Sequence, residues 1–160
     1  MYIRLLDWTP EALERWHISK AAVWEVVSHV VGEKAGRSLV VLIYLTGGTG
    51  CSGEYLPGWR TPEDVHRGTV KGLPPRFLLI RIALGTDNTY PYATHDDYGW
   101  SWRFATVLDH LALVVSHENY HRCQPSFTRQ KANNEQHANR DALKHVLDLG
   151  FNVEGVLYGG

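Results

Sequence analysis

Residues 104–124 read FATVLDHLALVVSHENYHRCQ. Apolar residues recur there at helical spacing and fall on more than one face. The stretch therefore predicts a buried, central helix from about Trp102 to a stop at Pro125. Its last third contains Ser116-His117-Glu118-Asn119-Tyr120-His121, a His-Glu-x-x-His pattern. On a helix, His117 and His121 lie four residues apart and share a face, so both imidazoles can converge on one ion. Glu118 stands one step round the helix, within reach of a water at that ion but not a ligand itself. With nine histidines in 160 residues, such a pattern arises by accident in roughly 3 chains in 100 of this composition. The context argues against accident. Val114, Val115 and Ser116 precede the motif, and uncharged Asn119 and Tyr120 lie within it, as a buried helix requires. Arg122, directly after His121, departs from that pattern.

A catalytic zinc needs a third protein ligand and an open position. Downstream, roughly Asn133–Leu149 predicts a last helix, stopped by Gly150. Counted from Glu135 in helical steps, its apolar stripe runs Ala138, Ala142, Val146, Leu149. A carboxylate heading a core-facing stripe needs a partner, because burying it bare is costly. The two alanines would also let this helix approach the His-Glu-x-x-His helix closely. His137 instead continues into Asp141, Lys144 and Asp148, a solvated face. Glu135 is thus the expected third ligand. The alternatives are His137, another carboxylate, or a helix-terminal acid with no metal role.

HENYH followed by EQHANRDAL resembles the gluzincin arrangement, H-E-x-x-H and then E-x-x-A on a following helix. It is most similar to compact metallopeptidases, the minigluzincins and the ImmA/IrrE-type peptidases, whose second motif contains E-x-x-A-N. Glu135, Ala138 and Asn139 occupy those positions, and the resemblance covers about residues 105–147. The spacer before Glu135 is short, and Asp141 stands where an apolar residue is usual. The resemblance implies a zinc peptidase with Zn2+ on His117, His121 and Glu135 and with Glu118 as base and acid. It also implies a peptide or protein substrate paired along the strand before the active helix, here Phe77–Leu84.

Upstream, Thr9-Pro10-Glu11 opens a short helix to about Trp16, and Ser19 caps a second one through KAAVWEVVSHVVGEK. Ser38–Leu45 and Phe77–Leu84 predict buried strands. Residues 46–76 read as irregular apart from a short helix opened by Thr61. Residues 85–101 read as a long aromatic loop, and the FNVEGVLY tail as a possible strand. This order predicts an α+β fold: one zincin-like domain over 1–160, with N-terminal helices, a small mixed sheet, the central motif helix and the glutamate helix.

Net charge is −1 with 21% charged residues, so nothing pulls the chain toward nucleic acid or an anionic membrane. Two cysteines, no signal-peptide pattern and no long apolar run suggest a reduced, cytoplasmic setting. Cys51, in GGTGCSGEY, is expected to be a small turn residue, not a nucleophile, since no neighbouring base is evident. Cys123 reads as a packed free thiol. Tyr90, His95, His145 and Tyr158 are candidate oxyanion stabilisers by chemistry alone. Trp100, Trp102, Tyr90, Tyr92 and Tyr98 either wall a substrate cleft or anchor the long loop. His110 is expected as a core or supporting histidine, and Asp109 as a partner for a ligand imidazole or an arginine. The competing function is a zinc-binding regulatory module of the same fold, with little peptidase activity.

Overall fold

The computed structural model describes residues 1–32, 36, 38–65, 70–124 and 131–158. The elements are β1 (Tyr2–Leu6), α1 (Pro10–Trp16), α2 (Lys20–Val31), β2 (Leu39–Thr46), β3 (Cys51–Arg60), β4 (Phe77–Gly85), β5 (Tyr92–His95), β6 (Trp100–Phe104), α3 (Val107–Cys123), α4 (Lys131–Asp148) and β7 (Val153–Leu157). The architecture is α+β, as expected. The stop at Pro125 and the linker after it lie outside the described residues. Among the described residues no helix is long and apolar enough to cross a membrane.

Local chemistry explains the helix starts. The Thr9 and Ser19 hydroxyls accept hydrogen bonds from the Ala12 and Ala22 amides at 3.2 and 3.1 Å, satisfying N-terminal N–H groups that no helical carbonyl can reach. The 3-10 turn Pro62–Asp64 is similarly closed, by the Thr61 amide donating to Asp64 Oδ2 at 2.9 Å.

Four strands form a mixed sheet in the order β1-β2-β4-β3. β1, β2 and β4 run parallel, and β3 pairs antiparallel with β4. β2 is buried on both faces, which is why it reads as a continuous apolar run. Val41, Ile43 and Leu45 join the main core with α2 and α3, whereas Val40 and Leu42 pack with Val65, Val70, Phe77 and Leu79 on the other face. β4 is no edge. It carries β2 on one side and β3 on the other, so Phe77–Leu84 is not the open edge expected of it; β1 and β3 are the outer strands of this sheet. β3 escaped sequence reading because CSGEYLPGWR holds two glycines and a proline, and most of it is exposed. Those are properties of an edge strand, where proline and a broken apolar pattern are tolerated.

The expected aromatic loop supplies β5 and the start of β6 to a second sheet, β5-β6-β7, antiparallel throughout. WSWRF alternates buried and less buried positions, the period of a strand. Trp100, Trp102 and Phe104 stack along one face at 5.0 and 6.2 Å. Opposite Trp102 stands Gly155; a Cβ there would lie 2.5 Å from Trp102 Cζ3. The C-terminal strand anticipated in FNVEGVLY is this partner.

α3 therefore starts later than expected, at Val107. A capping box sets the start: Asp109 Oδ2 accepts from the Thr106 amide at 3.0 Å and from its hydroxyl at 2.7 Å, and the Asp109 amide donates to the Thr106 hydroxyl at 3.3 Å. Asp109 Oδ1 accepts from the Asn152 amide at 2.8 Å. Among the described residues Asp109 pairs with neither a ligand imidazole nor an arginine; it ties the helix start to the approach of β7. Asp109→Ala is expected to destabilise the fold by about 2–4 kcal/mol, since it removes the cap and strands buried donors. Urea unfolding measures this, and a loss below about 1 kcal/mol would contradict that role.

Most α3 residues from Val107 to Glu118 are buried, on more than one face, as its apolar pattern requires. α4 lies against it through Ala138 and Ala142, both fully buried with Val146. His137, Asp141, Lys144 and Asp148 are exposed, so the expected solvated face is present. The other end of α4 is held to α2 by His145 Nε2 at 2.8 Å from the Val30 carbonyl, which removes His145 from the oxyanion candidates.

Candidate metal centre

The close packing of α3 on α4 brings His117, His121 and Glu135 together. His117 Nε2 lies 2.7 Å from Glu135 Oε2, His121 Nε2 lies 3.1 Å from Glu135 Oε1, and the two Nε2 atoms are 3.1 Å apart. One ligand atom from each residue lies within 4.8 Å of the others, the only such group of three among the described residues. All three side chains are mostly buried yet retain an opening to solvent.

The orientation of His117 is fixed from behind. Asn139 Nδ2 donates to Asp96 Oδ2 at 3.0 Å, which turns its carbonyl oxygen toward His117 Nδ1 at 2.8 Å. Nδ1 therefore carries the proton, and the Nε2 lone pair faces the centre. Asp96 is itself over-determined. Oδ2 also accepts from Trp102 Nε1 at 3.1 Å, and Oδ1 accepts from the Tyr98 and Trp100 amides at 2.8 and 3.1 Å. Sequence reading placed Asn139 within a motif without a role and missed Asp96. The available signal was HDDYG between two alternating aromatic segments, a hairpin turn with an Asx side chain.

Electrostatics follow from the cluster. Burial alone would lower the His117 pKa, but the Glu135 hydrogen bond and the Glu118 and Glu135 charges outweigh it and raise the net value. Burial alone would raise the Glu135 pKa, but the two histidine hydrogen bonds hold it well below the usual carboxylate range. Glu118 moves the other way: burial raises its pKa against the pull of His117 and His121. It is 5% exposed, and its Oε2 has no hydrogen-bond partner among the described residues. An unpaired buried carboxylate oxygen is costly to fold around. A water or a substrate amine held beside it would satisfy it.

Two imidazoles and a carboxylate are a donor set that suits zinc, with protein ligands about 2.0–2.1 Å from the ion. The orphaned Glu118 oxygen beside that set fits a base poised over an open coordination position. The residues present thus fit a catalytic zinc.

A cavity of about 590 Å³ opens on this cluster, reached by His117, Glu118, Glu135 and Asn139 from the helices and by Gly50–Gly53 from the start of β3. β3 crosses α3 at Gly53, where a Cβ would sit 2.8 Å from Val114 Cγ1 and 2.9 Å from Glu118 Cγ. Only glycine lets the strand pass so near the acid, and nothing in GGTGCSGEY marked it. Gly53→Ala is expected to displace Glu118 or lift β3 and to destabilise the fold by about 1–3 kcal/mol. Urea unfolding measures this, and unaltered stability would show that the strand and the helix are not in tight contact there.

Of the remaining oxyanion candidates, His95 lines the cavity, with Nδ1 2.9 Å from Ser101 Oγ. Tyr158 is 66% exposed at the chain end, and Tyr90 is turned to His110 at 2.9 Å. The aromatics divide: Tyr98 and Trp102 line the cavity, whereas Trp100 is buried within the fold and Tyr90 and Tyr92 pack against its core. Cys51 is partly buried, and burial pushes its thiol pKa up, against a nucleophilic role. Cys123 is exposed, correcting the expected packed thiol. Comparison with known protein families, curated proteins and solved structures gives no match.

Proposed function

We propose that the protein is a zinc-dependent metallohydrolase that cleaves peptide bonds, on a zincin-like fold. One observation carries this reading: His117, His121 and Glu135 converge beside a buried Glu118 whose Oε2 has no partner among the described residues, and His117, Glu118 and Glu135 line one cavity.

His117, His121 and Glu135 hold the ion. Zinc supplies Lewis acidity, polarising a carbonyl and drawing the pKa of water toward 7. Asn139 and Asp96 keep the His117 ring in its ligating tautomer. Glu118, its pKa raised by burial, accepts a proton from the attacking water and gives it to the leaving amine. The β3 edge receives an extended peptide by strand pairing, and Gly53 lets that edge lie over the reacting bond. His95 is the candidate to hydrogen-bond the carbonyl oxygen as negative charge develops.

The test is cleavage of a mixed peptide library read by mass spectrometry. Cleavage should disappear with a zinc chelator and return on adding zinc. Cleavage that resists chelation, or that depends on Cys51, would overturn the reading.

A further inference from the structure

The cavity extends past the metal ligands to His110, two helical turns before His117 and so about 10 Å along α3. The chemistry above makes no use of this histidine. Its ring is clamped between Phe104, at 4.1 Å and 14°, and Tyr92, at 5.2 Å and 23°. A chain of hydrogen bonds fixes where its proton sits. The Gly50 amide donates to Asn88 Oδ1 at 2.6 Å, and the Gly50 carbonyl accepts from Asn88 Nδ2 at 2.9 Å, which orients the amide. Asn88 Nδ2 also donates to the Tyr90 hydroxyl at 3.3 Å. The hydroxyl already accepts from Asn88, and its own hydrogen has no acceptor among the described residues other than His110 Nδ1, 2.9 Å away, to which it therefore donates. Nε2 therefore carries the ring proton. The ring's hydrogen bond among the described residues is made by Nδ1, and the ring lines the cavity, so Nε2–H is left to whatever enters. Burial pushes the His110 pKa down to about 3, so the ring is neutral near pH 7.

We propose that His110 determines specificity, selecting substrates with a side chain that has an apolar stem and an uncharged hydrogen-bond acceptor at its end. Among the common residues, glutamine fits. The stem would lie against Phe104, Leu113 and Val114, which line the cavity, and the carboxamide oxygen would accept from Nε2–H. Leucine fills the same walls but leaves that donor unpaired in a buried site. A glutamate would bring its charge to a neutral ring in a cavity that already holds Glu118 and Glu135. A lysine would set donor against donor. The assignment rests on the metallopeptidase reading and deepens it.

The zinc-loaded Glu118→Gln protein, expected to bind without cleaving, allows a direct test. It is titrated by calorimetry with blocked hexapeptide pools whose central position is fixed as Gln, Leu, Glu or Lys. The imidazole 15N spectrum of His110 is followed in parallel. The Nε2–H tautomer is expected, with the Gln pool bound about fivefold to tenfold tighter than the Leu pool and the Nε2–H resonance shifting most with Gln. His110→Phe keeps an aromatic ring and should equalise the Gln and Leu pools. Tyr90→Phe, which removes the proton that sets the tautomer, should weaken the same preference with the His110 ring still in place. An Nδ1–H tautomer, or pools that bind well but equally, overturns this proposal and leaves the metallopeptidase reading standing. Failure of every pool to bind overturns both.

Discussion

Replacing Glu118 by glutamine is expected to lower peptide cleavage by about 10²–10⁴-fold, the usual contribution of a positioned general acid–base group. The amide matches the carboxylate in size and fits a side chain that is 5% exposed, but it cannot take up a proton at neutral pH. Zinc content should not change, because Glu118 is not a ligand. Stability should hold or rise by about 1 kcal/mol, since the change relieves a buried carboxylate with an unpaired oxygen. The measurements are kcat/KM on a cleaved peptide, zinc per chain and the thermal midpoint. A protein that acts as a zinc-binding regulatory module instead would give no cleavage in the parent chain and an unaltered biological effect in the variant.

The second large effect concerns the ligands. His121→Ala leaves His117 and Glu135 facing each other with one fewer ligand. Zinc affinity should fall at least 100-fold, beyond what loss of an outer-shell partner costs, and cleavage should vanish. The same change should abolish the stabilisation that zinc gives. At a thousandfold excess over its dissociation constant, a ligand stabilises by about 4 kcal/mol, which for a chain of this size is roughly 10 °C in Tm. The parent chain should show that shift and His121→Ala should not. Zinc binding should also weaken with acid in a defined sense. The Glu135 hydrogen bond and the neighbouring carboxylate charges raise the His117 pKa, and an ion competes with that proton for the ring nitrogen. Affinity should therefore begin to fall above the pH at which an unperturbed histidine titrates. A zinc affinity flat from pH 8 to 5.5 would contradict the assignment of His117.

Much of this centre was legible because helical periodicity is local. The i, i+4 spacing placed His117 and His121 on one face, and the Glu135-Ala138-Ala142-Val146 stripe placed the acid on the side that meets α3. The two buried strands were legible for the same reason: their apolar runs are continuous. What escaped depends on pairing between distant segments. β3 is exposed and interrupted by Gly53, Pro57 and Gly58, so only its partner β4 makes it a strand. Trp100–Phe104 alternates with period two, yet it straddles a loop-like stretch and a helical pattern, so Trp100 and Ser101 read as loop and Trp102–Phe104 as the start of the helix. The capping box at Thr106 and Asp109 was the signal that separates them. Asp96 and Asn139 meet across 43 residues, and no spacing rule reaches that far. The sheet edge was misplaced for the same reason, since the order of strands is set by contacts that single segments do not encode.

X-ray absorption at the zinc edge, made on protein purified without chelator, tests the centre most directly when read with metal content. The proposed metal centre predicts one zinc per chain, with two imidazole nitrogens at about 2.0–2.1 Å and carboxylate oxygen in the remaining shell. Metal-free protein, thiolate scattering at about 2.3 Å, or zinc that survives replacement of His117, His121 and Glu135 together would contradict it.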